Sequence, residues 1–309
     1  MTSFKIALTN VLITLLFVLP GFILGKTKKA STEHLSTMSA VLIYVLSPCM
    51  IVSSFLQLDF SLENLGRMGI FFAITLILQS AFMLALFLIF RKKYNDSKYR
   101  ILTIGSVLGN VGFFGQPIIR ALLPDFPEAL CYSSVYVVSM NILVFSVGVF
   151  CLTNDKKFMS VKSMLLNPST LGLAVGLPLY ILGAKQYIPE VLSDAINLLG
   201  RATTPLCMII LGVRLSSVSF KKLFTRPVIY AACLLKLLVF PLFGFLCVYF
   251  LPLDFSLKAS VLILSATPCA SVILNMAEIH GSETELAANC VLLSTLSCFA
   301  TIPLLALLI

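Results

Sequence analysis

Apolar residues in this chain gather into ten long runs, at roughly 5–25, 35–57, 67–90, 100–121, 129–152, 167–184, 190–213, 228–250, 256–279 and 286–308. Polar residues are confined to the short stretches between them. A run of about 20 predominantly apolar residues matches the hydrocarbon thickness of a bilayer when coiled as an α-helix. The pattern therefore predicts an all-α polytopic membrane protein with ten transmembrane helices. The first run has the look of a secretory signal, but its apolar core is too long. Pro20-Gly21-Phe22 is also followed by no small-x-small cleavage site, so it counts as a span.

The chain also repeats itself. Leu19-Pro20-Gly21-Phe22-Ile23-Leu24-Gly25 resembles Leu177-Pro178-Leu179-Tyr180-Ile181-Leu182-Gly183 at an offset of 158. Ser47-Pro48 matches Thr204-Pro205, and Asn10 matches Asn167, both at 157. An offset near half the chain predicts two five-helix repeats, 1–152 and 153–309. Five is odd, so the second repeat enters the membrane inverted, as in secondary transporters whose site lies at the midplane.

Composition excludes a soluble fold of this size. The chain is 59% hydrophobic and 11% charged, against about 45–50% and 25% in ordinary globular proteins. A net charge of +9 would suggest nucleic acid in a soluble chain, but here the basic residues sit between apolar runs and set orientation instead. Fifteen Lys and Arg fall in the first, third, fifth and seventh connections, including Arg91-Lys92-Lys93, Lys156, Lys157, Lys221 and Lys222. Five lie on the opposite side: Arg67, Arg120, Lys185, Arg201 and Lys258. The positive-inside rule then places the odd connections in the cytoplasm and both termini outside, in a multi-pass protein of the cytoplasmic (inner) membrane. The ninth connection, between Glu278 and Glu285, carries no Lys or Arg and departs from the pattern. The nine cysteines lie in or at the ends of apolar runs with no C-x-x-C spacing. They read as small buried hydrophobes rather than a metal site or redox pair.

Candidate chemistry concentrates in two runs. In the fourth, Gly105, Gly109, Gly112, Gly115 and Pro117 fall within 13 residues beside Asn110 and Gln116. That density of glycine and proline undermines a continuous helix. Backbone groups freed inside a bilayer must be satisfied by protein, water or substrate. A half-helix N-terminus exposed at such a break carries partial positive charge and suits a carboxylate. Gly105-x-x-x-Gly109 as a mere packing motif would leave Asn110, Gln116 and Pro117 unexplained. The corresponding ninth run holds Ser265-Ala266-Thr267-Pro268-Cys269-Ala270-Ser271, where Pro268 interrupts the helix. Two interrupted spans at matching positions point to a transport site.

Ionisable residues inside a span are costly and so are functional candidates. Lys236 lies roughly eight residues, about 12 Å, inside the eighth span, and its repeat counterpart is Gln79. Two readings stay open for it: pairing with a broken-helix carbonyl or a carboxylate substrate, or snorkelling to the interface. No Asp or Glu lies near the middle of any span, so no carboxylate proton relay is indicated. Asn10, Asn141, Asn167 and Asn275 read first as interhelical glue, and His34 and His280 as solvated loop-side residues. The chain lacks His-Glu-x-x-His, G-x-S-x-G, paired intramembrane aspartates and a phosphate-binding loop, which argues against an enzyme or a primary pump. No metal site and no cofactor are expected.

Along its whole length the chain resembles the auxin efflux carrier family, the bacterial and archaeal relatives of the plant PIN-formed auxin exporters. The resemblance is carried by Gly109-Asn110-Val111-Gly112-Phe113 running to Pro117, and by Asn167-Pro168-Ser169-Thr170. Leu211-Gly212 before a basic loop and Ala266-Thr267-Pro268 follow in the same order. It implies a scaffold of spans 1, 2, 6 and 7, a mobile core of spans 3–5 and 8–10, and elevator-type transport with spans 4 and 9 crossing at the substrate. By that analogy Asn110 and Gly112 at the crossover, with Asn141 and Asn167, hold the substrate carboxylate, and Pro117 and Pro268 shape the breaks. The long loop of the plant exporters between spans 5 and 6 is missing here, and bacterial relatives resemble carriers of acids such as malate or malonate. The expected partners are a small organic anion and the lipid bilayer, with no nucleic acid; a homodimer is left open. A sodium- or proton-coupled symporter of the same fold and a ligand sensor without transport are the alternatives.

Overall fold

The computed structural model describes residues 2–155, 157, 159, 161–218, 226–280 and 283–309. Lys156, Lys221, Lys222 and the side chains of Asn275 and His280 lie outside the described residues. In chain order the principal helices are α1 Ser3–Lys26, α2 Leu35–Leu56, α3 Leu62–Lys93, α4 Ser97–Gly105 and α5 at 111–122. After these come α6 Glu128–Thr153, α7 Pro168–Ile181, α8 Glu190–Ser217 and α9 Pro227–Tyr249. The chain ends with α10 Phe255–Ser265, α11 Ser271–His280 and α12 Thr284–Leu308. Among the described residues there is no β-strand, only one isolated antiparallel bridge between Gly109 and Cys269.

Seven of these helices, α1, α2, α3, α6, α8, α9 and α12, are long and apolar enough to cross a membrane. Three of the ten apolar runs take a shorter form. The sixth is α7, of 14 residues, while the fourth and ninth are each split into two pieces, α4 with α5 and α10 with α11.

Side-chain caps set several helix starts. Ser61 caps α3 by accepting from Asn64 N, and the Tyr180 hydroxyl holds its backbone from both sides, 3.0 Å from Ser61 N and 3.1 Å from Ser61 O. That tertiary clamp starts the helix at Leu62, five residues before the apolar run does. Asp96 caps α4, and hydrogen bonds from Lys98 hold its carboxyl below the usual carboxylate range.

Wide π-helical turns interrupt α2 at Leu42–Leu46, open α5 at Val111–Gly115 and interrupt α9 at Leu235–Val239. In each case a proline, Pro48, Pro117 or Pro241, follows two residues later. Proline offers no N–H and crowds the preceding turn, and a wider turn absorbs the mismatch. A fourth such turn, Val144–Gly148 in α6, has no proline behind it.

The helices pack in two groups. The second half of α1, together with α2, α7 and α8, forms one of them. There backbones meet directly: a Cβ at Gly21 would collide with Ile209 O, and one at Gly212 with Val18 O. A Cβ at Gly172 or Gly200 would likewise meet the α2 backbone, 3.0 Å from Pro48 Cα and Met50 Cα respectively. With lipid outside, such close approach supplies the dispersion contact that holds helices together. In the other group α3 packs on α6 and α9 on α10, while α12 packs on α9 and α11. Phe71 stacks on Tyr132 with centroids 4.8 Å apart, and Phe82 meets Phe240 at 5.1 Å. Leu12, Leu16, Ile77, Leu84 and Leu88 point outward from α1 and α3, forming an apolar belt suited to acyl chains rather than water. The nine cysteines are all free; seven are buried, Cys49 is half-buried and Cys247 is exposed, so Cys247 departs from the buried expectation.

Candidate functional site

The two interrupted helices touch where each is broken. Asn110 N donates to Pro268 O at 2.7 Å, and Ala270 N donates to Leu108 O at 2.9 Å. These reciprocal bonds satisfy backbone groups that both breaks would leave orphaned, a strict requirement away from water. Gly109 is needed at the contact, since a Cβ there would lie 2.5 Å from Thr267 Oγ1 and 2.9 Å from Lys236 Nζ. Cys269 adds a bond from its N–H to Ser294 Oγ at 2.9 Å and one from its thiol to Gly105 O at 3.0 Å.

Beside this junction lies a cavity of about 500 Å³, walled by α2, α6, α8 and the start of α7. The first turns of α5 and α11 open onto it through Asn110, Val111, Gly112, Ala270 and Ser271. Helix N-termini present unpaired N–H groups and about half a positive charge each. The opposite, carbonyl ends of α4 and α10, at Gly105 and Ser265, are not part of the wall. No Asp or Glu lines the cavity among the described residues, whereas Lys162 and Arg214 do. Arg214 also pairs with Glu278 of α11. Most of the remaining wall is aliphatic or sulfur-bearing: Leu42, Met50, Met140, Met208, Leu211 and Met276.

The structure distributes the residues singled out from sequence as follows. Asn110, Gly112, Asn141 and Asn167 all face the cavity. Asn141 Nδ2 donates to Asn167 Oδ1 at 3.2 Å. Asn167 is heavily engaged, capping α7 through Thr170 N and donating to Met164 O and Thr170 Oγ1. Its amide therefore positions the wall, while Asn141 Nδ2 gives one N–H to that contact and has a second to offer the cavity. Pro117 and Pro268 lie outside the lining, Pro117 in the first turn of Gln116–Leu122 and Pro268 as acceptor to Asn110 N. Lys236 is fully buried, with Nζ 2.6 Å from Ser265 O, and does not line the cavity. Gln79 is also fully buried but bonds elsewhere, to Thr75 O and Ser139 Oγ, and its Oε1 lacks a hydrogen-bond partner among the described residues. Asn10 bonds to Ile6 O in its own helix rather than bridging helices, and His34 is exposed.

Several residues in the wall, or bonded to it, escaped the sequence reading. Thr204 Oγ1 donates to Phe113 O at 2.7 Å, tying α8 to the first turn of α5. Ser47 Oγ meets Ser169 Oγ at 3.3 Å, and Cys207 Sγ lies 4.0 Å from Asn110 Nδ2. The Ser47-Pro48 and Thr204-Pro205 matches marked two of these positions as repeat-related. Nothing in the pattern indicated that they meet the site.

Comparison with known proteins points to membrane transport. The family described as membrane transport protein matches residues 6–163 and 153–306, together nearly the whole chain. An uncharacterized transporter of Methanocaldococcus jannaschii is 27% identical over 295 residues, covering 92% of this chain and 93% of its own. An uncharacterized transporter of Methanothermobacter thermautotrophicus is 26% identical over 302 residues, covering 96% of each. A helical chain with seven membrane-length apolar helices, matched end to end by this family, is a multi-pass membrane protein, and it belongs to the auxin efflux carrier-like family of membrane transport proteins.

Proposed function

We propose that this protein is a secondary transporter of small organic anions working by elevator-type alternating access. The observation that carries the reading is the cavity wall. Two helix N-termini and the amides of Asn110 and Asn141 face the space, with Lys162 and Arg214 at its border and no lining carboxylate among the described residues. Such a wall favours a carboxylate over a cation or a neutral polar solute.

The packing supports an assignment of the moving parts. Helices α2, α7 and α8 with the second half of α1 act as the scaffold, held by the backbone contacts at Gly21 and Gly212. The remaining helices carry the junction of α4–α5 with α10–α11, and the cavity lies between the groups. In this reading the ten apolar runs form two inverted five-helix repeats, 1–152 and 153–309. The odd connections lie in the cytoplasm with both termini outside. Export of a monovalent anion then runs downhill on an inside-negative potential, worth about 2.3 kcal/mol per 100 mV and able to sustain roughly a 40-fold gradient.

Purified protein in liposomes, given labelled malonate, malate, oxalate and indole-acetate in turn, tests this. Membrane potential, proton and sodium gradients are imposed separately. The expected result is saturable flux of at least one acid that follows the potential. Saturable flux of an organic cation, with none for any acid, would overturn the anion assignment.

A further inference from the structure

Lys236 is among the largest fully buried side chains of the protein, yet it stands behind the cavity wall rather than in it. Its ammonium lies against the junction of the broken helices. Nζ donates to Ser265 O, the last residue of α10, at 2.6 Å, and lies 5.1 Å from the centroid of the Phe240 ring. The missing side chain at Gly109 leaves the room it occupies, since a Cβ there would come within 2.9 Å of Nζ. Thr267 Oγ1, which donates to Leu264 O at 2.7 Å, borders the same space with its lone pairs available. No carboxylate forms a salt bridge with Lys236 among the described residues.

An ammonium in a dry site is costly unless its charge is balanced. The balance here comes from the backbone. The carbonyl ends of α4 and α10 converge on the junction, each carrying about half a negative charge. Together they amount to about one unit, which a single ammonium offsets. At the α4 end, Leu102 O and Ile104 O are met by backbone N–H groups of Ser106, Val107 and Leu108, but Gly105 O accepts from the Cys269 thiol, a weak donor, so the negative potential of that end is centred on Gly105. Helix-end carbonyls beside a threonine hydroxyl are also the oxygen ligands that a hard cation takes in a broken-helix transporter.

We propose that the Lys236 ammonium is a tethered cation holding the place of a coupling ion at the junction, so that the transport cycle needs no sodium or other metal ion. The proposal rests on the transporter reading above and specifies its coupling.

Sodium titration of the whole protein in detergent tests it, with choline as the matched control. Two readouts are used: binding of radiolabelled sodium and melting temperature. Wild type is expected to show no saturable sodium binding and one melting temperature in both salts. Lys236→Ala, with the space and the carbonyls vacated, is expected to gain a saturable sodium-dependent rise of about 3 °C or more. Lys236→Arg, which keeps the charge, should remain indifferent to sodium. Saturable sodium binding by wild type overturns the proposal. So does a folded Lys236→Ala protein that ignores sodium, whatever its melting temperature. If Lys236→Ala does not fold, wild type and Lys236→Arg decide, and a sodium response in either refutes it. None of these measurements reads flux, so failure to find a transported acid counts against the anion-transporter reading alone.

Discussion

Gly212→Ala isolates the energetics of the contact between α1 and α8. The added Cβ would collide with Val18 O while meeting Phe22 N at 2.7 Å and Gly21 Cα at 3.0 Å. All three are backbone atoms, so none can rotate away. Ordinary contact begins near 3.4 Å, so the two helices must separate locally by about 1 Å, enough to forfeit a quarter to a half of each facing dispersion contact. Overpacking of this kind costs about 1–3 kcal/mol. Alanine's better helix propensity returns up to about 1 kcal/mol. Gly66→Ala in α3 supplies the control, because nothing lies within 4 Å of its Cβ position. That variant keeps the propensity gain without the collision. The two variants should therefore differ by about 2 kcal/mol, or roughly 4 °C in melting temperature, with Gly212→Ala the lower. Seven buried free thiols make a thiol-reactive fluorophore a direct reporter of unfolding. Gly212 lines no part of the cavity, so the surviving folded Gly212→Ala protein should transport with unchanged KM. A Gly212→Ala protein that melts with or above Gly66→Ala would refute the backbone-contact reasoning.

Asn110→Ala should weaken binding of whichever acid wild type carries by about 10- to 100-fold, the scale of one amide hydrogen bond to a charged group; equal affinities would remove Asn110 from the substrate pocket. A double-mutant cycle on Asn141→Ala and Asn167→Ala should give a stability coupling of about 0.6–1.7 kcal/mol, the range for polar pairs between membrane helices. Additive losses would mean that their 3.2 Å contact contributes nothing. Asn289 in α12 is buried with neither amide atom hydrogen-bonded among the described residues, so Asn289→Leu should raise the melting temperature through relief of about 1–3 kcal/mol. A lower melting temperature would show that the amide is satisfied in the membrane.

What the sequence determined by itself is the class of molecule and the places where its helices fail. Apolar runs of bilayer length become helices because an unpaired peptide group has no partner in hydrocarbon, and that rule acts on each run separately. The backbone leaves helical geometry at 106–110 and 266–270 for equally local reasons, the glycines around Asn110 and the missing N–H of Pro268. Prolines at 48, 117 and 241 explain three of the four wide turns in the same way.

Tertiary structure decided everything that depends on which helix faces which. Lys236 had two open readings because a long cationic side chain on a membrane helix is compatible with an interface or with an interior partner; its contact with Ser265 joins residues 29 apart in sequence. The pairing of Asn141 with Asn167, the bond from Thr204 to Phe113 and the α3 start clamped by Tyr180 are likewise contacts across helices. So is the bond from Gln79, the repeat counterpart of Lys236, to Ser139. Lipid exerts no hydrophobic force between membrane helices, so their mutual arrangement is set by close packing and a few polar bonds. Those terms depend on shape at sub-ångström scale, as at Gly21 and Gly212, and a one-dimensional pattern of apolar and polar positions does not encode it.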